Sequence, residues 1–422
     1  MEPRLKRCRA CGRCLEKMDK CPTCKYYQLK WYYCSKLCQV SDWPRHKEHH
    51  KLLEKIRAEK GGLHPLGSLA LHEDEVVPEI SGSCSISREE TDGNGMTALL
   101  RAASEGKWRE VENLILNGAN PRAADGQGLT ALHHAAFYGN KELTRSLIDH
   151  GPAGLAHCET PSGETSLFLA CARGNLEVAK ILIKAGGMSL VLHAQKDGGS
   201  CLMVSCQEGH VEIVQALIEA GGEALALMKR TDGGNCIMHA CQEGHHEIVK
   251  TLIKAGGKKL VLMTDKEGSS CLYFACLQGH LEIVKDLIKA GGEALLLKMD
   301  KDGCSCLYAA CLKGHLEIVK VLIQEGGKAL LFMTDTDGCS CLKAACVNGH
   351  LGTVKALIKA GGKELLLKTN KNGASALYGA CENGHLEIVK ALIQAGGESL
   401  LLMTTKDGAS CLHIACQNGH LE

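Results

Sequence analysis

From Gly139 to Gly419 a glycine recurs every 35 residues, at 139, 174, 209, 244, 279, 314, 349, 384 and 419. Almost every one opens the same phrase, Gly-His-Leu-Glu-Ile-Val-Lys-x-Leu-Ile-x-Ala-Gly-Gly. A fixed period of about 20–50 residues marks stacked supersecondary units, each burying its apolar face only against its neighbours. Such a chain offers a long ordered surface, not one deep catalytic pocket.

Each interior unit reads alike. In Asp265–Gly292 a glycine turn precedes a short helix bearing Leu272, Ala275 and Cys276, and Gly279 ends it. A second helix carries Leu281, Val284, Leu287 and Ile288 at helical spacing, and Gly291 stops it. The expected unit is helix, turn, helix and an extended return, with about ten units over residues 91–422.

The pattern resembles the ankyrin repeat. Thr130-Ala-Leu-His133-His-Ala-Ala136 comes closest, and Thr97-Ala-Leu99 and Thr165-Ser-Leu167 open earlier units. The resemblance implies a mostly α ankyrin-repeat solenoid that binds proteins through its finger tips and the exposed ends of its first helices. Gly106 to Gly139 spans 33 residues, the usual ankyrin length, whereas the later 35 comes from a longer connection after Gly-Gly, such as Glu293-Ala-Leu-Leu-Leu-Lys-Met-Asp300. That insertion places extra leucines at the base of the finger. Tips and helix ends are where the units differ from one another, so Lys266, Glu267, Lys301 and Asp302 (tips) and Leu277, Gln278, Leu312 and Lys313 (helix ends) are the candidate partner contacts. Any one of them alone also reads as ordinary solvated surface.

Cysteine replaces the usual proline at 201, 236, 271, 306, 341 and 411, and the second alanine at 171, 206, 241, 276, 311, 346, 381 and 416. Like positions in stacked helical units stand roughly 8–10 Å apart, beyond the ~7 Å Cα limit for a disulfide. These thiols are therefore expected to act as small buried apolar groups. Cys304 and Cys339, on turns, are the candidates for reactivity. The row His210, His245, His280, His315, His350, His385 and His420 cannot share one ion at that spacing, and each is expected to bond a neighbouring loop.

The first fifty residues follow different rules. Cys8, Cys11, Cys14, Cys21, Cys24, Cys34 and Cys38 crowd together, and His46, His49 and His50 follow. A Cys-x2-Cys pair presents two thiolates from one turn to one metal, so this is zinc spacing, and eight ligands make two closed sites with no open position for catalysis. Ser41 or Asp42 can cap a helix whose first turn tolerates Pro44, which sets His46 and His50 on one face.

Cys8-Arg-Ala-Cys11-Gly12, Cys21-Pro-Thr-Cys24 and the run Tyr33-Cys34 to His46-Lys47 resemble the MYND zinc finger. By that resemblance Cys8, Cys11, Cys34 and Cys38 hold one Zn2+, and Cys21, Cys24, His46 and His50 the other. The last ligand, usually Cys, is His50 here, and the Cys24 to Cys34 spacing is wider than the family's. Cys14 competes with Cys8, although Gly12 favours Cys8/Cys11, and His49 rivals His50.

Six of the chain's fifteen aromatics, Tyr26, Tyr27, Trp31, Tyr32, Tyr33 and Trp43, lie in this segment. They either pack around a metal site too small for a core or line a groove for an extended, proline-containing peptide. Protein binding is what the MYND resemblance implies, with Trp31, Tyr33 and Trp43 as contacts.

Residues 1–60 hold 16 Lys+Arg and 7 Asp+Glu of the chain's 49 and 48, leaving 33 against 41 for the rest. That basic end admits nucleic acid as an alternative partner. Two zinc ions bound through six thiolates lower the local charge by two, which weakens the alternative. Residues 61–90 mix Pro, Gly, Ser and Glu without a period and read as a linker.

The reading is a protein–protein adaptor in the cytoplasm or nucleus. The N-terminus has no apolar signal core, and no run of 18 apolar residues exists. No Gly-rich nucleotide loop or Ser/His/Asp set argues for an enzyme. MYND fingers also accompany lysine methyltransferase domains, but an enzyme here would require chain beyond residue 422. The last unit stops after its first helix at Glu422, so the sequence predicts that the natural chain continues.

Overall fold

The computed structural model describes residues 91–92 and 95–420, together with four two-residue strands. The chain divides into two compact units, Met1–Ser85 and Ile86–Glu422. In the first, Lys6–Arg7 pairs antiparallel with Cys14–Leu15, and Asp19–Lys20 with Tyr32–Tyr33.

The second unit is a stack of helical repeats with 21 α-helices among the described residues. Its local logic is capping. A Ser, Thr or Asn recurs before each first helix, and in nearly all of them the side chain accepts from the backbone N–H three residues on. Ser270, for example, accepts from Tyr273 N at 3.2 Å ahead of the helix Cys271–Gln278. Such a cap stabilises by about 1 kcal/mol. Leu272, Ala275 and Cys276 face inward with no exposure. Gly279 ends the helix in the left-handed region (φ +89°), which releases the chain into the second helix, Leu281–Gly291. There Ile283, Val284, Leu287 and Ile288 are buried, while Leu281 is only partly so. Ile283 thus fills the place that periodicity gave to Leu281.

The expected extended return after Gly-Gly is wrong in part. Gly292 adopts φ +64°, ψ −156°, a conformation close to exclusive to glycine, and the chain then makes one further helical turn, Glu293–Leu296. Leu295 and Leu296 are 0 % and 3 % exposed. A helical turn wins because it satisfies its own backbone polar groups while burying two leucines, worth about 1.5–3 kcal/mol each. The extra leucines are core, not finger base. The shorter unit after Gly106 lacks this turn: its second helix, Trp108–Leu116, runs through Gly118 straight to the next finger.

Most fingers then close on one antiparallel bridge, such as Thr264↔Ser270 or Met299↔Ser305. The apolar core runs continuously from Leu99 to Ile414, shared between neighbouring units throughout.

Candidate functional site

The finger tips are tied to one another through the backbone. Lys266 N donates to Asp232 O (2.8 Å), Lys301 N to Glu267 O (2.7 Å), Thr336 N to Asp302 O (2.7 Å) and Lys371 N to Asp337 O (2.8 Å). Within a tip a polar side chain holds the turn: Asp300 Oδ1 accepts from Asp302 N (3.0 Å) and Cys304 N (2.8 Å), and Asn370 Oδ1 does the same for Asn372 N (3.1 Å) and Ala374 N (2.9 Å). This fixes the main chain and leaves the side chains of Lys266, Glu267, Lys301 and Asp302 exposed, with Lys301 Nζ 3.6 Å from Glu267 Oε1. The structure brings these four candidates together on adjacent tips.

The helix ends divide. Gln278 and Lys313 are exposed. Leu277 and Leu312 are part-buried, and their carbonyls are occupied: His315 Nε2 bonds Leu277 O (3.2 Å) and His350 Nε2 bonds Leu312 O (3.1 Å). The same bond recurs from His245 to Gln207, His280 to Gln242, His385 to Val347 and His420 to Glu382. The histidines thus reach the helix end of the preceding unit, 38 residues back, and not a loop. Earlier in the stack asparagine does this work, with Asn175 Nδ2 donating to Ala136 O at 2.7 Å.

Between tips and helices lies a strip of acids and tyrosines. Burial, then Asp300, Cys304, Asp302 and Asp265, push the Tyr273 hydroxyl up to about 12. Burial and Asp300, Asp335 and Asp302 push the Cys304 thiol up to about 12, and burial raises Cys339. The two candidates for reactivity are therefore held as thiols, a correction: acids that crowd the turn oppose the thiolate that reactivity needs.

Pattern reading missed a contact set in the earlier units. Arg173 stacks its guanidinium 3.9 Å over the Phe137 ring, Phe137 meets Tyr138 edge to face at 5.1 Å, and Tyr138 is 63 % exposed. These residues occupy the helix-end positions of their units, so the signal was present at a place where the units depart most from the repeat.

The buried thiols are packing groups. Burial first, then the thiols of Cys201, Cys236, Cys271, Cys306 and Cys341 in turn, raises Cys171, Cys206, Cys241, Cys276 and Cys311 well above the ordinary thiol range. The thiols at the proline position donate to a backbone carbonyl ten residues before them: Cys201 to Val191 O and Cys236 to Ala226 O (both 3.3 Å), Cys271 to Val261 O (3.4 Å).

Among the described residues no three His, Cys, Asp or Glu side chains come together to hold a metal. The zinc candidates Cys8, Cys11, Cys21, Cys24, Cys34, Cys38, His46 and His50 lie outside the described residues, as do Trp31, Trp43 and the side chain of Tyr33. No helix among the described residues is long and apolar enough to cross a membrane.

Comparison with known families decides what the stack is. The family model described as ankyrin repeats (3 copies) matches residues 69–155, 99–189, 153–226, 202–296, 272–369 and 362–422. The chain belongs to the ankyrin-repeat family. No curated protein matches it. Ankyrin repeats are interaction modules for other proteins and are typically non-enzymatic. In this ankyrin array the tip ladder and the histidine bonds supply the framework, and the side chains they leave free are the candidate contacts.

Proposed function

We propose that the chain is an adaptor that engages one protein with its ankyrin array and another with an N-terminal two-zinc finger. The observation that carries the first half is the tip ladder. Backbone bonds hold adjacent tips in register while Lys266, Glu267, Lys301 and Asp302 stay exposed, so side chains can differ from unit to unit without disturbing the fold. A preorganised surface of this kind binds without the cost of ordering loops.

The second half rests on donor chemistry. Six thiols and two imidazoles, Cys8, Cys11, Cys34, Cys38 and Cys21, Cys24, His46, His50, match what two tetrahedral structural zinc ions take. The paired strands Lys6–Arg7 and Cys14–Leu15 bracket Cys8 and Cys11 in sequence, and the pair Asp19–Lys20 and Tyr32–Tyr33 brackets Cys21 and Cys24. The neighbouring Trp31, Tyr33 and Trp43 suit an extended, proline-containing peptide.

The test is a charge-reversed full chain carrying K266E, E267K, K301E and D302K. It should melt like the natural protein and lose partners that the natural protein captures by crosslinking. Identical partners for both would overturn the tip assignment. Binding of the chain to DNA or RNA that weakens steeply with salt, and vanishes when the basic residues of 1–60 are neutralised, would replace the finger's peptide role with the nucleic-acid reading.

A further inference from the structure

We infer that the helix ends of the second and third units form a platform that docks an acidic, proline-bearing extended segment of a partner protein. Arg173 takes the carboxylate and Tyr138 carries the residue beside it. The inference rests on the reading of the array as a protein-binding module. It adds a second surface, earlier in the stack than the tips of Lys266 and Asp302.

The last two positions before the glycine that closes a first helix are polar or aliphatic in the other units, as in Gln207-Glu208, Gln242-Glu243 and Val347-Asn348. Only the second unit places two aromatic rings there, Phe137 and Tyr138. They meet edge to face at 5.1 Å, and Tyr138 keeps 63 % of its surface in solvent. Asn175 fixes the main chain beneath them, its Nδ2 donating to Ala136 O at 2.7 Å and to Phe137 O at 3.2 Å. An exposed tyrosine on a fixed backbone has few torsions to lose on binding, which is why this residue type anchors protein contacts.

Arg173 supplies the polar half. Its guanidinium lies 3.9 Å from the centre of the Phe137 ring, reaching back into the preceding unit and away from Glu208 of the following one. Stacking uses the flat face of the group and leaves its N–H donors, which lie in the plane, free to bond. Among the described residues no carboxylate stands within ion-pairing distance of Arg173. Acids of these units are matched by lysines instead, Glu105 by Lys107 at 2.7 Å, Glu142 by Lys141 at 3.7 Å and Glu177 by Lys180 at 3.4 Å. The platform therefore presents one unmatched cation whose orientation is already set.

Charge and shape together select the occupant. A carboxylate answers the free fork through two parallel N–H···O bonds, with little side-chain ordering left to oppose them. The ring of a proline packs on an aromatic face and comes in a chain that is already extended. Guanidinium and Tyr138 both border Phe137, a reach that a few residues of such a chain cover at about 3.1 Å each.

The probe is a decapeptide of alternating Glu and Pro with a C-terminal benzophenone, irradiated with the full chain and mapped by mass spectrometry. Crosslinks are expected on the helices Ala131–Tyr138 and Ser166–Ala172 and on Arg173, and the Gln-Pro analogue should not form them. Arg173→Lys keeps the charge but loses the stacked fork. It should weaken binding by about tenfold, read from crosslink yield at this site against peptide concentration. Tyr138→Ala should also weaken it, and because both side chains are exposed, both variants should melt like the natural chain. Crosslinks confined to residues 1–60 or to the tips, equal labelling by the Gln-Pro analogue, or an R173K chain that binds as the natural one does would each overturn the inference. The chain carrying K266E, E267K, K301E and D302K should take the probe here unchanged. If that chain loses its partners while the probe never labels 131–173, the platform fails and the tip reading stands. The reverse pattern sinks the tips and keeps the platform.

Discussion

A Cβ built on Gly279 would stand 2.6 Å from Cε1 of His315, whose Nε2 lies 3.2 Å from the carbonyl oxygen of Leu277. The glycine of one unit and the histidine of the next are thus one device. The bare Cα admits the ring, and the ring's far nitrogen satisfies a helix-end carbonyl that would otherwise need water. The same contact recurs at Gly209 with His245 and at Gly244 with His280.

Gly279→Ala should therefore cost more than strain alone. The left-handed conformation costs about 1–2 kcal/mol with a Cβ, and displacing His315 adds the loss of its bond. Combining it with His315→Ala should cost less than the sum of the two single changes, measured by urea unfolding in a double-mutant cycle. Strict additivity would show that the ring and the glycine act separately.

His350→Asn should be nearly neutral, because Asn175 spans the equivalent interface earlier in the stack to Ala136 O. His350→Ala removes the bond to Leu312 O and should destabilise by about 1 kcal/mol. Equal losses for both variants, read from thermal melts, would sink the idea that the bond is what matters.

Leu295→Ala tests whether the extra turn of the longer repeat is core. Leu295 has no exposure, so truncation should cost about 2–5 kcal/mol. Leu402→Ala, at a site 72 % exposed, should fall within about 0.5 kcal/mol of the natural chain.

His239 gives the array a pH dependence. Burial first, then the Arg230 guanidinium, lower its pKa to about 4 from an ordinary 6.5. The folded state therefore holds His239 neutral where the unfolded chain takes up a proton. Its contribution is intact above about pH 6.5 and is lost as pH falls from 6.5 towards 4. His239→Gln should flatten the pH slope of the melting temperature in that window. An unchanged slope would mean that other groups set it.

Metal analysis of the full chain should find about two zinc ions per molecule. Chelation should remove them without changing the helical circular dichroism melt of the array, because the two units are separately compact. A stoichiometry near zero in protein purified without chelator would end the finger assignment.

Much of this architecture was legible in the sequence because its determinants are local. Gly279 announces a helix end, and Val284, Leu287 and Ile288 a buried face, all within a few residues of where they act. The Gly292 turn was not legible. Gly-Gly followed by leucines fits a loop and a kinked helix equally well, and only the burial of Leu295 and Leu296 against their neighbours chooses. Among the candidate contacts, the tips were readable as variable loops. That Leu277 and Leu312 give their carbonyls to histidines of the following units was not.

By itself the sequence determined the repeating helical unit and its period, and it set eight Cys and His side chains apart in the first fifty residues. Those follow from spacing along the chain, which covalent geometry and helix pitch convert directly into faces and turns. Only the tertiary structure decided which side chains meet between units. The offset of one unit against the next comes from side-chain packing, and it brings together unlike positions: Gly279 with His315, Lys301 N with Glu267 O.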